Sequence, residues 1–190
     1  MIINIIKQNN KIKKTFKKPL DKLKYMGYNI DKIKKGIDNM TNTKVIVFDM
    51  DGTIADLYGV NGWLEMLENE NPMPYEIARP MYDMAELVEI LNELKEIGYV
   101  IAVTTWLAMG STTEYDKQVR LAKLAWLEKY GFPYDEIHLV KYGTTKANCT
   151  RKLGGFQILV DDNEKIRQGW HLGATINANE NIIDHLRELL

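Results

Sequence analysis

Residues 44–56 read KVIVFDMDGTIAD and carry the strongest structural signal in the chain. The apolar run at 45–48 is β-branched or aromatic, too short for a helix and soon followed by Gly52, so it predicts a buried strand of a parallel sheet. Two carboxylates, Asp49 and Asp51, follow the strand directly. Because the carboxyl ends of the strands border the ligand crevice in an open α/β sheet, both acids are expected where such folds bind and react.

Asp49 and Asp51 can divide the work of a phosphoryl-transfer reaction. Gly52 allows the backbone to turn, so that both side chains can face one pocket. One carboxylate can attack phosphorus to form an aspartyl phosphate, and the other can protonate the leaving oxygen and then activate water. Because two anions beside a phosphate dianion repel each other, a hard cation held by oxygen ligands is expected, and Mg²⁺ is the usual one. The alternative is a strand-end turn with solvated Asp residues.

Three further runs that are mostly apolar, at 99–103, 137–140 and 157–160, predict additional buried strands. Amphipathic helical patterns lie between the strands, and their alternation predicts an α/β fold with a doubly wound, mostly parallel, Rossmann-like sheet. The second of the four strands ends at Thr104, Thr105 and Trp106, and a hydroxyl at this strand end can donate to a phosphoryl oxygen.

Residues 57–82 interrupt the strand–helix alternation and predict a small helical cap inserted after the first strand. Tyr58, Trp63 and Tyr75 could stack on a base or a sugar. Trp63 and Leu67 are four residues apart on a helix, which favours a role in attaching the cap to the body.

The DMDGT sequence that begins at Asp49 resembles the first motif of the haloacid dehalogenase (HAD) superfamily, most of whose members are phosphatases. The resemblance extends over about residues 44–190. It implies that Asp49 is the nucleophile and Asp51 the acid/base, and that Asp49 and the Asp51 backbone carbonyl are ligands of Mg²⁺. It also implies that a strand-end hydroxyl binds the phosphoryl group, for which Thr105 is preferred and Thr104 is the alternative.

The resemblance implies two further motifs. The third is a lysine that neutralises the nucleophile and the phosphoryl group; Lys146, after a glycine turn and near a helix start, is preferred over Lys141. The fourth is a pair of acids that completes the magnesium site. By that pattern Asp162 is a direct ligand, whereas Asp161 acts through water or holds Lys146.

These residues predict a Mg²⁺-dependent phosphomonoesterase that acts on a small phosphorylated molecule. An acid at position 51 argues against dehalogenation, because a departing halide needs no proton whereas an alkoxide does. The cap is similar in placement to that of the deoxyribonucleotidase-like branch, which favours a nucleoside monophosphate. A sugar phosphate or a nucleic-acid terminal phosphate is an alternative, and so is a non-catalytic interaction protein that keeps the fold.

Residues 1–43 differ in composition from the rest of the chain. They hold eleven Lys and three Asp, a balance of +8, so the overall net charge of -1 leaves -9 for the remainder. The acidic body is not typical of a nucleic-acid binder. A short basic helix around Ile30, Ile33 and Ile37 could contact nucleic acid or an anionic membrane, but a solvated extension is favoured.

Cys149 is the single cysteine, so the chain has no intramolecular disulfide, and a reducing cytoplasm is the expected location. No apolar run approaches the roughly 20 residues that a membrane-spanning helix requires. The sequence carries no signal for an oligomeric state.

Overall fold

A computed structural model describes residues 43–190 of the chain. In chain order the strands are β1 (Lys44–Phe48), β2 (Ala55–Asp56), β3 (Arg79–Pro80), β4 (Tyr99–Trp106), β5 (Glu136–Val140), β6 (Phe156–Asp161) and β7 (Gly173–Asn177). The α-helices are α1 (Trp63–Glu68), α2 (Met73–Ile77), α3 (Met84–Glu96), α4 (Thr113–Lys129), α5 (Lys146–Thr150), α6 (Glu164–Gln168) and α7 (Ile182–Arg187).

The main sheet has five strands in the order β5-β4-β1-β6-β7, and every neighbouring pair is parallel. Helices cover the sheet on both faces. The prediction of a doubly wound, mostly parallel α/β fold is therefore confirmed. Strand β1 lies at the centre, and the chain proceeds outward from it first on one side and then on the other, which creates a topological switch point beside β1.

Strand β1 is buried on both faces, as its unbroken apolar run predicts. Ile46 and Phe48 belong to the core cluster that includes residues of α3, α4 and α7. Val45 and Val47 belong to the cluster on the opposite face, which includes Ala147 of α5. All four side chains are inaccessible to solvent, so the end of this strand is firmly positioned.

Strand β4 ends at Trp106, within the Thr104-Thr105-Trp106 segment where the sequence predicts its end. The apolar run stops at Val103, but the strand continues to Trp106 and keeps its pairing with β5. Thr104 and Thr105 are therefore buried residues of the strand itself. Threonine is β-branched and suits a strand, so the change from apolar to polar residues does not interrupt it.

Residues 57–82 contain the two short helices α1 and α2, as predicted for a helical insertion. Strands β2 and β3 form a small antiparallel ribbon at the base of this insertion, which the sequence did not predict. The insertion is attached to the body through α4. The Tyr115 hydroxyl donates to the Asn71 carbonyl at 3.1 Å, and Glu70 accepts from the backbone N–H and the hydroxyl of Thr112, both at 2.9 Å.

The predicted basic helix in residues 1–43 lies outside the described residues, apart from Thr43. Among the helices between residues 43 and 190, none combines the length and apolar character that are needed to cross a bilayer.

Candidate active site

The candidate site begins in the turn that follows β1. The Asp49 N–H donates to the Val160 carbonyl at 2.9 Å, which extends the sheet by one residue. The Met50 carbonyl then accepts from the N–H groups of Thr53, Ile54 and Ala55 at 2.9–3.2 Å. This tight turn places Asp49 and Asp51 on the wall of the same cavity.

Gly52 meets two requirements of this turn. Its φ of +74° lies in the left-handed region, which favours glycine. A Cβ atom at this position would lie 2.5 Å from Cε2 of Tyr58 and 2.8 Å from Oδ2 of Asp162. Only glycine allows the turn to approach both side chains so closely.

Lys146 joins the ends of β1 and β6. Its Nζ lies 2.9 Å from Oδ1 of Asp49 and 2.6 Å from Oδ2 of Asp161, and its side chain is 2% exposed. Burial alone lowers the pKa of Lys146, but Asp49 and Asp161 outweigh burial and raise the pKa overall. The ammonium group is therefore charged, and it holds the two carboxylates together.

Asp162 is placed by Thr53, which follows the β1 turn. The Asp162 N–H donates to the Thr53 hydroxyl at 3.2 Å, and that hydroxyl donates to Oδ1 of Asp162 at 3.4 Å. Arg167 supports the same segment, because its guanidinium donates to the backbone carbonyls of Asp161 and Asp162 at 2.7 Å. Sequence reasoning missed this role of Arg167. The residue lies in α6, and it binds the backbone of the segment that leads from β6 into that helix.

Asp49, Asp161 and Asp162 form an acidic cluster in which one carboxylate oxygen of each lies within 4.8 Å of the others. Burial first, and then the charge of Asp49, raise the pKa of both Asp161 and Asp162. Hard oxygen donors at such spacing suit a divalent cation such as Mg²⁺. The carboxylate of Asp51 is outside this cluster.

Asp51 has a partner of its own in Lys123 of α4. The Lys123 ammonium forms an ion pair with Oδ2 of Asp51, and it also donates to the Thr105 hydroxyl at 2.8 Å and the Trp106 carbonyl at 2.9 Å. It lies 4.8 Å from the centre of the Tyr75 ring in α2. Burial raises the pKa of the Asp51 carboxyl, and Lys123 opposes this increase.

Sequence reasoning missed Lys123, although its position in α4 contains a signal. The buried face of α4 includes Tyr115, Val119, Ala122 and Trp126. Lys123 lies within this helical stripe and is 0% exposed. A lysine on the apolar face of a helix requires a buried partner, and Asp51 is that partner.

The remaining predicted residues occupy distinct positions. Thr105 contacts Lys123, on the side of the site that contains Asp51. The Thr104 hydroxyl is buried and has no hydrogen-bond partner among the described residues. Lys141, the alternative to Lys146, is exposed. The structure thus brings Asp49, Asp161, Asp162 and Lys146 together, and it does not bring Lys141 into their contacts.

A cavity of about 320 Å³ opens beside Asp49 and Asp51. Five aromatic side chains line it: Tyr58, Trp63, Tyr75, Trp106 and Tyr142. The Tyr58 and Trp63 rings meet edge to face with centroids 5.1 Å apart. Trp63 and Leu67 both face this cavity, and Leu67 also packs against the body, so the insertion forms part of the cavity wall.

No protein-family model and no curated protein matches this chain.

Proposed function

We propose that the protein is a Mg²⁺-dependent phosphomonoester hydrolase of the HAD type, acting through an aspartyl phosphate. One observation carries the proposal: Asp49 contacts the buried ammonium of Lys146 and belongs to a cluster of three carboxylates at the edge of a cavity. The three carboxylates of this cluster face one ammonium group, that of Lys146. The resulting excess of two negative charges matches one divalent cation.

Asp49 is the nucleophile in this proposal. It attacks the phosphorus atom, the bond from phosphorus to the ester oxygen breaks, and the phosphoryl group is transferred to the carboxylate. Lys146 keeps the carboxylate oriented and offsets the negative charge of the transferred group. Either Thr104 or Thr105 supplies a hydroxyl at the end of the same sheet. The Thr104 hydroxyl has no hydrogen-bond partner within residues 43–190, whereas that of Thr105 accepts from Lys123.

Asp51 is the general acid and base. It donates a proton to the departing ester oxygen and then accepts one from the water that hydrolyses the aspartyl phosphate. Asp49, Asp162 and the Asp51 backbone carbonyl would hold Mg²⁺, with Asp161 committed to Lys146. When bound, the cation would screen the phosphate from the surrounding carboxylates and stabilise charge on the phosphoryl oxygens.

The cavity supports a substrate with a flat, largely apolar leaving group. Its volume of about 320 Å³ falls at the lower end of the range of about 300–1,000 Å³ that is typical of small-molecule sites. Aromatic rings stack on bases without requiring a particular base. We therefore propose nucleoside monophosphates as the first substrates to test, followed by sugar phosphates and phosphorylated oligonucleotide ends.

The test is hydrolysis of an aryl phosphate and a panel of nucleoside monophosphates, with and without Mg²⁺, by the wild type and by Asp49→Asn. We expect Mg²⁺-dependent turnover that is lost in the variant. Asp51→Asn lacks the base that activates water, so it should accumulate the aspartyl phosphate when it reacts with the aryl phosphate. After acid quench, the phosphoryl group should be found on the peptide that contains Asp49. Asp184→Asn, at an exposed carboxylate of α7, is the matched control and should retain activity.

Two results would refute the proposal. One is unchanged turnover in Asp49→Asn. The other is no turnover of any phosphomonoester by folded, Mg²⁺-loaded wild type, which would favour a non-catalytic interaction protein instead.

A further inference from the structure

Lys123 is a buried charge that the proposed chemistry does not yet use. Its side chain is 0% exposed, and its three N–H donors all have acceptors: the Asp51 carboxylate, the Thr105 hydroxyl and the Trp106 carbonyl. These acceptors come from the β1 turn and from the end of β4. One ammonium group therefore connects the acid/base residue to the neighbouring strand.

Stability does not explain a lysine at this position. Removing a charge from water is costly, and apolar side chains of similar volume often stabilise a core as well as a buried ion pair does. The neighbouring positions of α4, including Ala122 and Trp126, form an apolar stripe into which a long apolar side chain would fit. A buried lysine placed against a carboxylate at the edge of a cavity is instead typical of a functional site.

We infer that Lys123 is a positioning residue that holds the Asp51 carboxyl in place for proton transfer to the leaving oxygen. The two lysines then have separate tasks, because Lys146 binds the nucleophile Asp49 and Lys123 binds the acid/base Asp51. The inference rests on the proposed function. It adds Lys123, which lies 72 positions from Asp51 in the sequence, to the residues of the site.

The contacts of Lys123 extend to the inserted segment. Its Nζ lies 4.8 Å from the centre of the Tyr75 ring, and Tyr75 is a buried residue of α2 that also lines the cavity. Because a cation and an aromatic face attract each other, Lys123 couples the position of the acid/base residue to the wall of the substrate cavity.

Leaving-group dependence distinguishes this role from a structural one. A nitrophenolate departs without a protonated acid, whereas the alkoxide of a nucleoside 5′-phosphate requires one. The ratio kcat/KM reports the steps up to phosphoryl transfer from the substrate, so it excludes the later hydrolysis of the aspartyl phosphate. Loss of correctly folded protein would lower kcat/KM equally for both substrates.

The experiment compares Lys123→Met with the wild type in the presence of Mg²⁺, on an aryl phosphate and on the best nucleoside monophosphate. Because a misplacement of about 1 Å can reduce a rate about 100-fold, we expect kcat/KM to fall about 100-fold for the alkyl ester and less than about 10-fold for the aryl ester. Lys123→Arg, which keeps the charge, should recover part of the alkyl activity. Lys117→Met, at an exposed position of the same helix, is the control.

A double-mutant cycle completes the test. If Lys123 acts through Asp51, Lys123→Met should cause no further selective loss for the alkyl ester in the Asp51→Asn background. Equal losses for both esters in Lys123→Met would overturn the inference while leaving the phosphatase proposal intact. If Lys123→Met does not fold, the losses of kcat/KM for the alkyl and the aryl ester are compared in Lys123→Arg instead. Equal losses for the two esters in that variant would also overturn the inference. An inactive wild type would refute both proposals.

Discussion

Replacing Lys146 with Met should destabilise the metal-free protein strongly. Lys146 is the cation between Asp49 and Asp161, at 2.9 and 2.6 Å, and is 2% exposed. Methionine has a similar length and fits the same space, so the substitution removes the charge without creating a large cavity. Two carboxylates are then left facing each other without the ammonium group that separates them.

The size of the effect follows from this burial. Removing one partner of a buried ion pair costs about 3–5 kcal/mol, because the remaining charge has lost its compensation. For a domain of about 150 residues, 1 kcal/mol corresponds to a change in Tm of roughly 2–4 °C. We therefore expect Tm to fall by roughly 6–20 °C. Magnesium should reduce this loss, because it supplies positive charge to the same carboxylates.

Urea unfolding of the full chain in chelator, followed by circular dichroism, measures the free energy of unfolding directly. Asp161→Asn introduced together with Lys146→Met should recover part of the lost stability, because it removes one of the two uncompensated charges. Lys141→Met, at an exposed position of the preceding loop, should change stability by no more than about 0.5 kcal/mol. A loss below about 1 kcal/mol in Lys146→Met would show that this ion pair is not buried as described.

Three other predictions concern the turn, the cavity and the cation. Gly52→Ala should lower the free energy of unfolding by about 1–2 kcal/mol, because alanine is strained in the left-handed region. It should also weaken Mg²⁺ binding measured by calorimetry, because the new Cβ would displace Asp162. Trp63→Leu should raise KM for nucleoside monophosphates about 10-fold, since stacking contributes about 1–3 kcal/mol per base, and should leave KM for glycerol phosphate unchanged. The Mg²⁺-induced increase in Tm should shrink between about pH 7.5 and about pH 5.5, because protons compete with Mg²⁺ for carboxylates of raised pKa.

The predictions for Gly52→Ala and Trp63→Leu each have a control. Gly131→Ala shares the positive φ, at +63°, but its Cβ would meet no atom within 4 Å, so it should match the strain of Gly52→Ala and spare Mg²⁺ binding. Trp63→Phe keeps an aromatic face and should restore KM. An equal rise in KM for glycerol phosphate would contradict the stacking role.

The sign of the pH effect follows from the direction of the pKa shifts. Burial and Asp49 raise the pKa of the proposed Mg²⁺ ligand Asp162 and raise that of its neighbour Asp161 to about 6, in both cases above the unfolded value, so the metal-free folded state binds protons more tightly than the unfolded chain. The contribution of Asp161 to the stability of the metal-free protein is therefore gained as pH falls through about 6 and lost as pH rises, and protonation of Asp162 as pH falls weakens Mg²⁺ binding. A Mg²⁺-induced increase in Tm that grows toward acidic pH would contradict this assignment.

The main sheet could be predicted from the sequence because its signals are local. Strand β1 is an apolar run buried on both faces, and the acids that follow it lie at the crevice for any sheet of this class. The same reasoning places Asp161 and Asp162 at the carboxyl end of β6, and the structure pairs β6 with β1. The position of Lys146 near a helix start favours it over Lys141, and the structure brings it into contact with Asp49.

The surroundings of Thr104 and Thr105 could not be predicted from the sequence. Their side chains alternate across the sheet, and hydrogen bonding to β5 extends the strand through both of them. The Thr105 hydroxyl accepts a hydrogen bond from Lys123, whereas the Thr104 hydroxyl has no hydrogen-bond partner among the described residues. Which hydroxyl has a partner depends on the element that packs against each face of β4, and only the tertiary structure decides that.

By itself, the sequence determined the fold class, the order along the chain of the four strands β1, β4, β5 and β6, and the residue types available at their ends, because hydrophobic pattern and strand polarity act locally. Only the tertiary structure decided that Lys123 meets Asp51 across 72 residues and that Trp63 faces the cavity. Both depend on how a helix is rotated and packed against the sheet. That rotation is set by the combined burial of many side chains, which no short segment of sequence contains.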